Sequence, residues 1–104
     1  MKNGDNLYVG MTLNVVSSAI DRVQKTPISD ATCTVDFFAP PKDPENNPAD
    51  RTVDHTFTGT FDVGQHAYTV DVPTTGWTPG RWTYRVTLTD AATGWVYSSF
   101  DLLA

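Results

Sequence analysis

From Trp82 to Leu88 every second residue is large and apolar (Trp82, Tyr84, Val86, Leu88), and Thr83, Arg85 and Thr87 lie between them. A period of two belongs to a strand with one dry face and one wet face. Pro79-Gly80 just before it predicts a tight turn, because proline pre-sets φ at the first central position and glycine accepts a positive φ at the second. Ala91-Ala92-Thr93-Gly94 reads as a short loop, with a further strand from Trp95 to Leu102. The end of the chain is therefore expected to be a β-hairpin.

The same alternation recurs upstream. Residues 1 to 6 are polar and read as a loose arm. Leu7, Val9, Met11, Leu13 and Val15 then alternate, with Gly10 as a bend or bulge between two short strand pieces. Ser17 to Ser29 holds no sustained period; a helical turn fits around Ala19 to Val23, and Ile28 beside Pro27 reads as loop pinned to the core. Ala31 to Phe38 alternates again, with Cys33, Val35 and Phe37 on one side, and predicts a central strand. Residues 39–51 hold four of the chain's seven prolines. Proline has no N–H to give a sheet, so this segment is expected to be a long stiff loop of polyproline character. Val53, His55, Phe57 and Phe61 share one face of the next strand, Asp62-Val63-Gly64-Gln65 is a turn, and Tyr68, Val70 and Val72 share a face after it.

About seven short strands spaced by turn signals, with no helix of useful length, make the fold class all-β. Two sheets with one apolar face each must cover one another, so an antiparallel immunoglobulin-like β-sandwich is the expected architecture. A small SH3-like or OB-like barrel is the alternative. A chain of 104 residues is one domain and not two.

The hairpin register decides what faces outward. Simple pairing across a four-residue loop would set Tyr84 opposite Asp101 and turn that carboxylate toward the core. A bulge at Gly94 flips the parity, placing Phe100 opposite Val86 and Leu102 opposite Tyr84. Burying Asp101 would cost several kcal/mol, so the bulged register is preferred. Trp95 and Tyr97 then stand on the outer face beside Thr83, Arg85 and Thr87. A Trp, a Tyr and an Arg on one strand pair match the composition of interface hot spots. The competing reading is that a flanking loop or the N-terminal arm covers them. Trp77 reads as a plug for the end of the sandwich.

Charge and composition remove several classes of function. Seven basic and twelve acidic residues give a net charge of −5, and no basic face exists for nucleic acid. No run of 18 apolar residues occurs, so no membrane-spanning helix is expected. The start Met1-Lys2-Asn3-Gly4-Asp5 lacks the apolar stretch of a secretion signal, which points to synthesis in a cytosol. Cys33, the single cysteine, reads as a small buried hydrophobe. His55 and His66 match no zinc spacing and read as half-exposed strand residues. Asp43, Glu45, Asn46, Asn47 and Asp50 offer oxygens for calcium, but not in the order of a calcium loop. No Ser-His-Asp or Cys-His arrangement and no phosphate-binding glycine loop is present. The chain is expected to be no enzyme and to need no cofactor or metal.

The series Gly10 to Val15, Ile28 to Phe38, Ala67 to Pro73 and Pro79 to Gly94 resembles small immunoglobulin-like domains of tailed-phage virions. Among them it resembles the N-terminal domain of the baseplate upper protein family. The similarity spans almost the whole chain, through strand and turn types and a Pro-Gly-Arg-Trp-Thr-Tyr motif at Pro79 to Tyr84; the proline-rich insert after Phe38 departs from it. It implies a structural protein made in the host cytoplasm and assembled in several copies in the virion, at the head-tail neck, tail or capsid surface, docking on other virion proteins. Three alternatives remain open. One is a carbohydrate-binding module stacking Trp95, Tyr97 and Trp77 on sugar rings. Another is an adhesion repeat cut from a longer chain, against which the start at Met1 and the close at Ala104 weigh mildly. The third is a barrel-shaped neck stopper.

Overall fold

The computed structural model describes residues 6–17, 28–90 and 93–104. The protein is all-β, with strands β1 (Asn6–Tyr8), β2 (Thr12–Ser17), β3 (Thr32–Phe38), β4 (His55–Asp62), β5 (Ala67–Pro73), β6 (Gly80–Thr89) and β7 (Thr93–Leu103), and a 3-10 turn at Pro48–Asp50. The loose arm expected over residues 1 to 6 is shorter than that, because Asn6 already pairs with Asp101. Residues 1–5 and the helical turn expected around Ala19 to Val23 lie outside the described residues.

The seven strands form one mixed sheet in the order β1-β7-β6-β3-β4-β5-β2. Every neighbouring pair is antiparallel except β1 with β7, which is parallel. Continuity comes from β4. Its first part, His55 to Gly59, pairs with β3, and its last, Thr60 to Asp62, pairs with β5. Gly59 sits at this crossing, where a Cβ would lie 2.7 Å from Cys33 Sγ; any side chain there would force β3 and β4 apart. The two sheets expected of a sandwich are thus two leaves of one sheet folded over a shared core. The result is nearly closed and barrel-like, between the expected sandwich and its alternative.

Gly10 makes the predicted bend with φ 96°, a conformation glycine adopts freely. It hands the chain from β1 at one edge of the sheet to β2 at the other. Thr74, wholly buried, fixes this crossing: its Oγ1 accepts from Gly10 N at 3.1 Å and donates to Met11 O at 2.6 Å.

Val15, Val35, Phe37, Val72, Trp82, Val86 and Phe100 fill the core from both leaves. Cys33 is buried as expected, and burial pushes its thiol pKa up against the opposing bond from the Gly59 backbone. Tyr68 OH donates to Ile28 O at 2.7 Å and accepts from Ala31 N at 2.9 Å, so Ile28 is held to the core. Trp77 closes one end of it, stacked on Trp82 at 4.5 Å and on His55 at 4.4 Å with only 2° between the ring planes.

The β6–β7 hairpin has the expected parity but not the expected register. Val86 lies opposite Val96 rather than Phe100, Phe100 opposite Trp82, and Leu102 opposite Gly80 rather than Tyr84. There is no bulge at Gly94, which pairs with Leu88 in the regular ladder; β7 begins at Thr93, opposite Thr89. Thr93 and Gly94 join the strand, which lengthens the ladder and still brings Phe100 and Leu102 inward. Asp101 is kept off the core by its partner across the strand: Arg81 Nη1 meets Asp101 Oδ1 at 3.1 Å on the exposed side.

Candidate functional site

The outer face of β6 and β7 is built by alternation. Trp82, Tyr84 and Val86 turn inward, so Thr83, Arg85 and Thr87 turn out. The ladder sets Ser99 opposite Thr83, Tyr97 opposite Arg85 and Trp95 opposite Thr87. The five residues singled out in the sequence therefore share one patch. Trp95 is 64% exposed, while Tyr97, Arg85, Thr83 and Thr87 are half-buried. Arg51, from the proline-rich segment, joins Arg85, Thr87, Trp95 and Tyr97 around a groove of about 360 Å³.

Two residues of β3 that the sequence reading passed over hold this patch in place. Asp36, opposite Arg85 in the ladder, is buried; its Oδ2 lies 2.9 Å from Arg85 Nη2, and Thr56 Oγ1 donates to its Oδ1 at 2.9 Å. The bond from Asp36 pushes the Arg85 pKa up from its already high value; burial opposes the shift and the Tyr97 hydroxyl reinforces it. Among the described residues, Arg85 Nε is buried without a partner. The second residue, Phe38, is wholly buried although it faces outward, with the Arg85 guanidinium carbon 5.6 Å from its ring centroid and the Tyr97 ring at 6.5 Å. Cation and aromatic rings support one another here.

The proline-rich segment roofs this cluster. Asp43 and Glu45 line a second groove, of about 270 Å³, together with Arg81, Thr83 and Tyr97, and Pro44 is wholly buried. The polyproline expectation is corrected, since that conformation makes no internal hydrogen bonds. Here Asn47 N donates to Asp43 O at 2.8 Å, Asp43 N to Asp50 Oδ2 at 2.9 Å, and Arg51 Nε to Pro44 O at 2.7 Å. Lys42 Nζ ties the segment to the residue before β4 through Asp54 Oδ2 at 2.8 Å, where Ala39 N also donates at 2.7 Å. Burial raises the Asp54 pKa, but the Lys42 ammonium and the Ala39 N–H outweigh it, so the carboxyl sits below its ordinary value.

The competing reading, that a loop or the N-terminal arm covers Trp95 and Tyr97, does not hold for Trp95, which is exposed, while Tyr97 is half-buried. The roof takes in Phe38 and half of Tyr97 and leaves Trp95 open. Of the calcium candidates, Asp43 and Asp50 spend oxygens on N–H groups within the segment. Among the described residues no three His, Cys, Asp or Glu side chains are placed to hold a metal ion. His55 lies under Trp77, and His66 is exposed in the turn after β4 with φ 53°.

The signal that was present and not used is the doubled aromatic Phe37-Phe38 at the end of a strand. Both faces of that strand need cover: the core supplies it on the Phe37 side, and Arg85, Tyr97 and the segment that follows lie on the other. The Asp36–Arg85 pairing spans 49 positions in the chain and requires the β3–β6 register. Compared with known protein families, with characterised proteins and with solved structures, the chain shows no significant match.

Proposed function

We propose that the protein is a non-enzymatic docking module that binds another polypeptide through the outer face of β6 and β7. The observation that carries this reading is Trp95, 64% exposed on a face whose neighbours Arg85 and Tyr97 are already fixed by Asp36 and Phe38. A large aromatic beside a pre-positioned arginine contributes contact area with little further ordering cost, the property of residues that dominate interfaces. Thr83 and Thr87 supply a polar rim. In keeping with the resemblance to tailed-phage immunoglobulin-like domains, the assembly would be a virion and the partners other virion proteins, met in several copies on a symmetric particle.

Mass spectrometry of particles purified from a host carrying the gene tests this reading. The chain is expected in the particles at a fixed stoichiometry, and Trp95→Ala is expected to lower its incorporation at least tenfold while leaving the fold intact. A chain absent from particles, together with a glycan-array signal lost on the same substitution, would favour the carbohydrate-binding alternative instead.

A further inference from the structure

On one side β7 pairs with β6 without interruption from Thr93 to Leu102, whereas on the other, among the described residues, β1 reaches it only at Asp101, Leu102 and Leu103. Val9 N donates to Leu103 O at 2.8 Å, so Leu103 turns its backbone groups to the β1 side. By the alternation of an antiparallel ladder, Thr93, Trp95, Tyr97 and Ser99 turn theirs to that same side, where they meet no strand among the described residues. Sheet edges are ordinarily blunted by lysine, proline, a bulge or an inward charge. From Thr93 to Phe100 there is no charged residue and no proline, and the ladder is regular. Apolar side chains on both faces of this edge stand in solvent, Trp95 at 64% and Val96 at 56% exposure.

We propose that this edge pairs antiparallel with the same edge of a second copy, about a two-fold axis passing through Val96. The occupant follows from two properties of the segment. An acidic chain of net charge −5 repels its own copies over most of its surface, but this stretch carries no charge to oppose contact. Its outward groups are also self-complementary. Centred on Val96, the pairing sets Trp95 against Tyr97 of the second copy and Thr93 against Ser99, and it engages all the outward N–H and C=O groups at once. Shifting the axis by one residue along the strand leaves some unpaired. In this register Trp95 and Tyr97 meet on the outer face, the two Val96 side chains meet on the other, and β1 begins two residues beyond the last paired position. The inference rests on the docking reading above and narrows it to the symmetric contact from which a multi-copy assembly is built.

The test uses the full chain in solution. Light scattering after size exclusion should show a dimer that dissociates on dilution. Val96→Cys should form a disulfide-linked dimer under mild oxidation, because residues facing each other in a non-hydrogen-bonded antiparallel pair have Cα atoms about 4.5 Å apart, within disulfide reach. Ser98→Cys, which would face Gly94, should not. Val96→Lys places two like charges together on the axis and should weaken the dimer more than tenfold with unchanged circular dichroism and melting temperature. A chain that is monomeric at millimolar concentration and is not cross-linked through position 96 overturns the proposal. So does a dimer indifferent to Val96→Lys, or a chain that dimerises only when residues 1–5 are removed. A full-length monomer still incorporated into particles would sink this contact while leaving the docking reading intact.

Discussion

Phe37 and Phe38 are consecutive, both are wholly buried, and they face opposite ways from β3. Phe37 is ringed by Phe57, Trp77, Tyr84 and Phe100, at centroid distances of 5.7, 5.2, 5.3 and 6.2 Å, contributed by β4, β6, β7 and the connection between β5 and β6. Phe38 has one aromatic neighbour, a guanidinium and a roof made by a single loop. The inner cluster is dry and makes the fold. The outer one is mixed apolar and ionic, and it makes a surface, because fixing Arg85 and Tyr97 from below leaves Trp95 supported and open above. Burial on both sides of one strand thus serves two different ends.

Large-to-small substitutions should separate the two sides. Phe37→Ala is expected to cost about 4 kcal/mol, near the upper range for a fully enclosed aromatic, and Phe38→Ala about 2 to 3 kcal/mol, because the roof can settle into the space. Denaturant unfolding of both variants checks the order; equal losses would mean that the loop is as rigid as the core. Removing the ionic support by Asp36→Ala should cost about 2 kcal/mol, between the values for exposed and buried pairs, since it strands a half-buried arginine. Asp36→Asn, which keeps a bond to Thr56, should recover part of that loss.

The tie between roof and body is expected to be acid-sensitive. The Asp54 pKa is lowered in the folded state, so the stability it gives is complete above the unfolded value of 3.8 and is lost as pH falls through the lower folded value. Asp54→Asn should flatten that part of the pH-stability curve, with a loss at neutral pH of about half a kcal/mol, as befits a partly exposed pair. The smallest effect on stability belongs to Trp95→Ala, within about 0.5 kcal/mol, although it should be the most damaging to docking. A melting temperature lowered as far as in Phe38→Ala would show that Trp95 belongs to the roofed cluster rather than to the open surface.

The alternation of apolar residues made the strands legible, because the period of two survives whatever the strands pair with. It also carried the parity of the last hairpin, since keeping Asp101 off the core admits only one choice of face. Register was not legible: Thr93 and Gly94 resemble loop residues, and only the ladder with β6 shows that they continue the strand. The patch itself was readable as far as Trp95, Tyr97, Arg85, Thr83 and Thr87. Its support was not, because Asp36 meets Arg85 through a pairing of distant segments. The proline-rich segment was misread for a related reason. Its prolines exclude a sheet but do not exclude turns closed by Asp43, Asp50 and Arg51, whose partners lie within the segment itself.

The parallel pairing of β1 with β7 has a mechanical consequence. Traction applied to the beginning of β1 and the end of β7 runs along the two strands in opposite directions, so their shared hydrogen bonds are loaded in shear, all together, rather than peeled apart in turn. Single-molecule pulling should record this as one abrupt rupture at the edge of the sheet before the rest of the body yields.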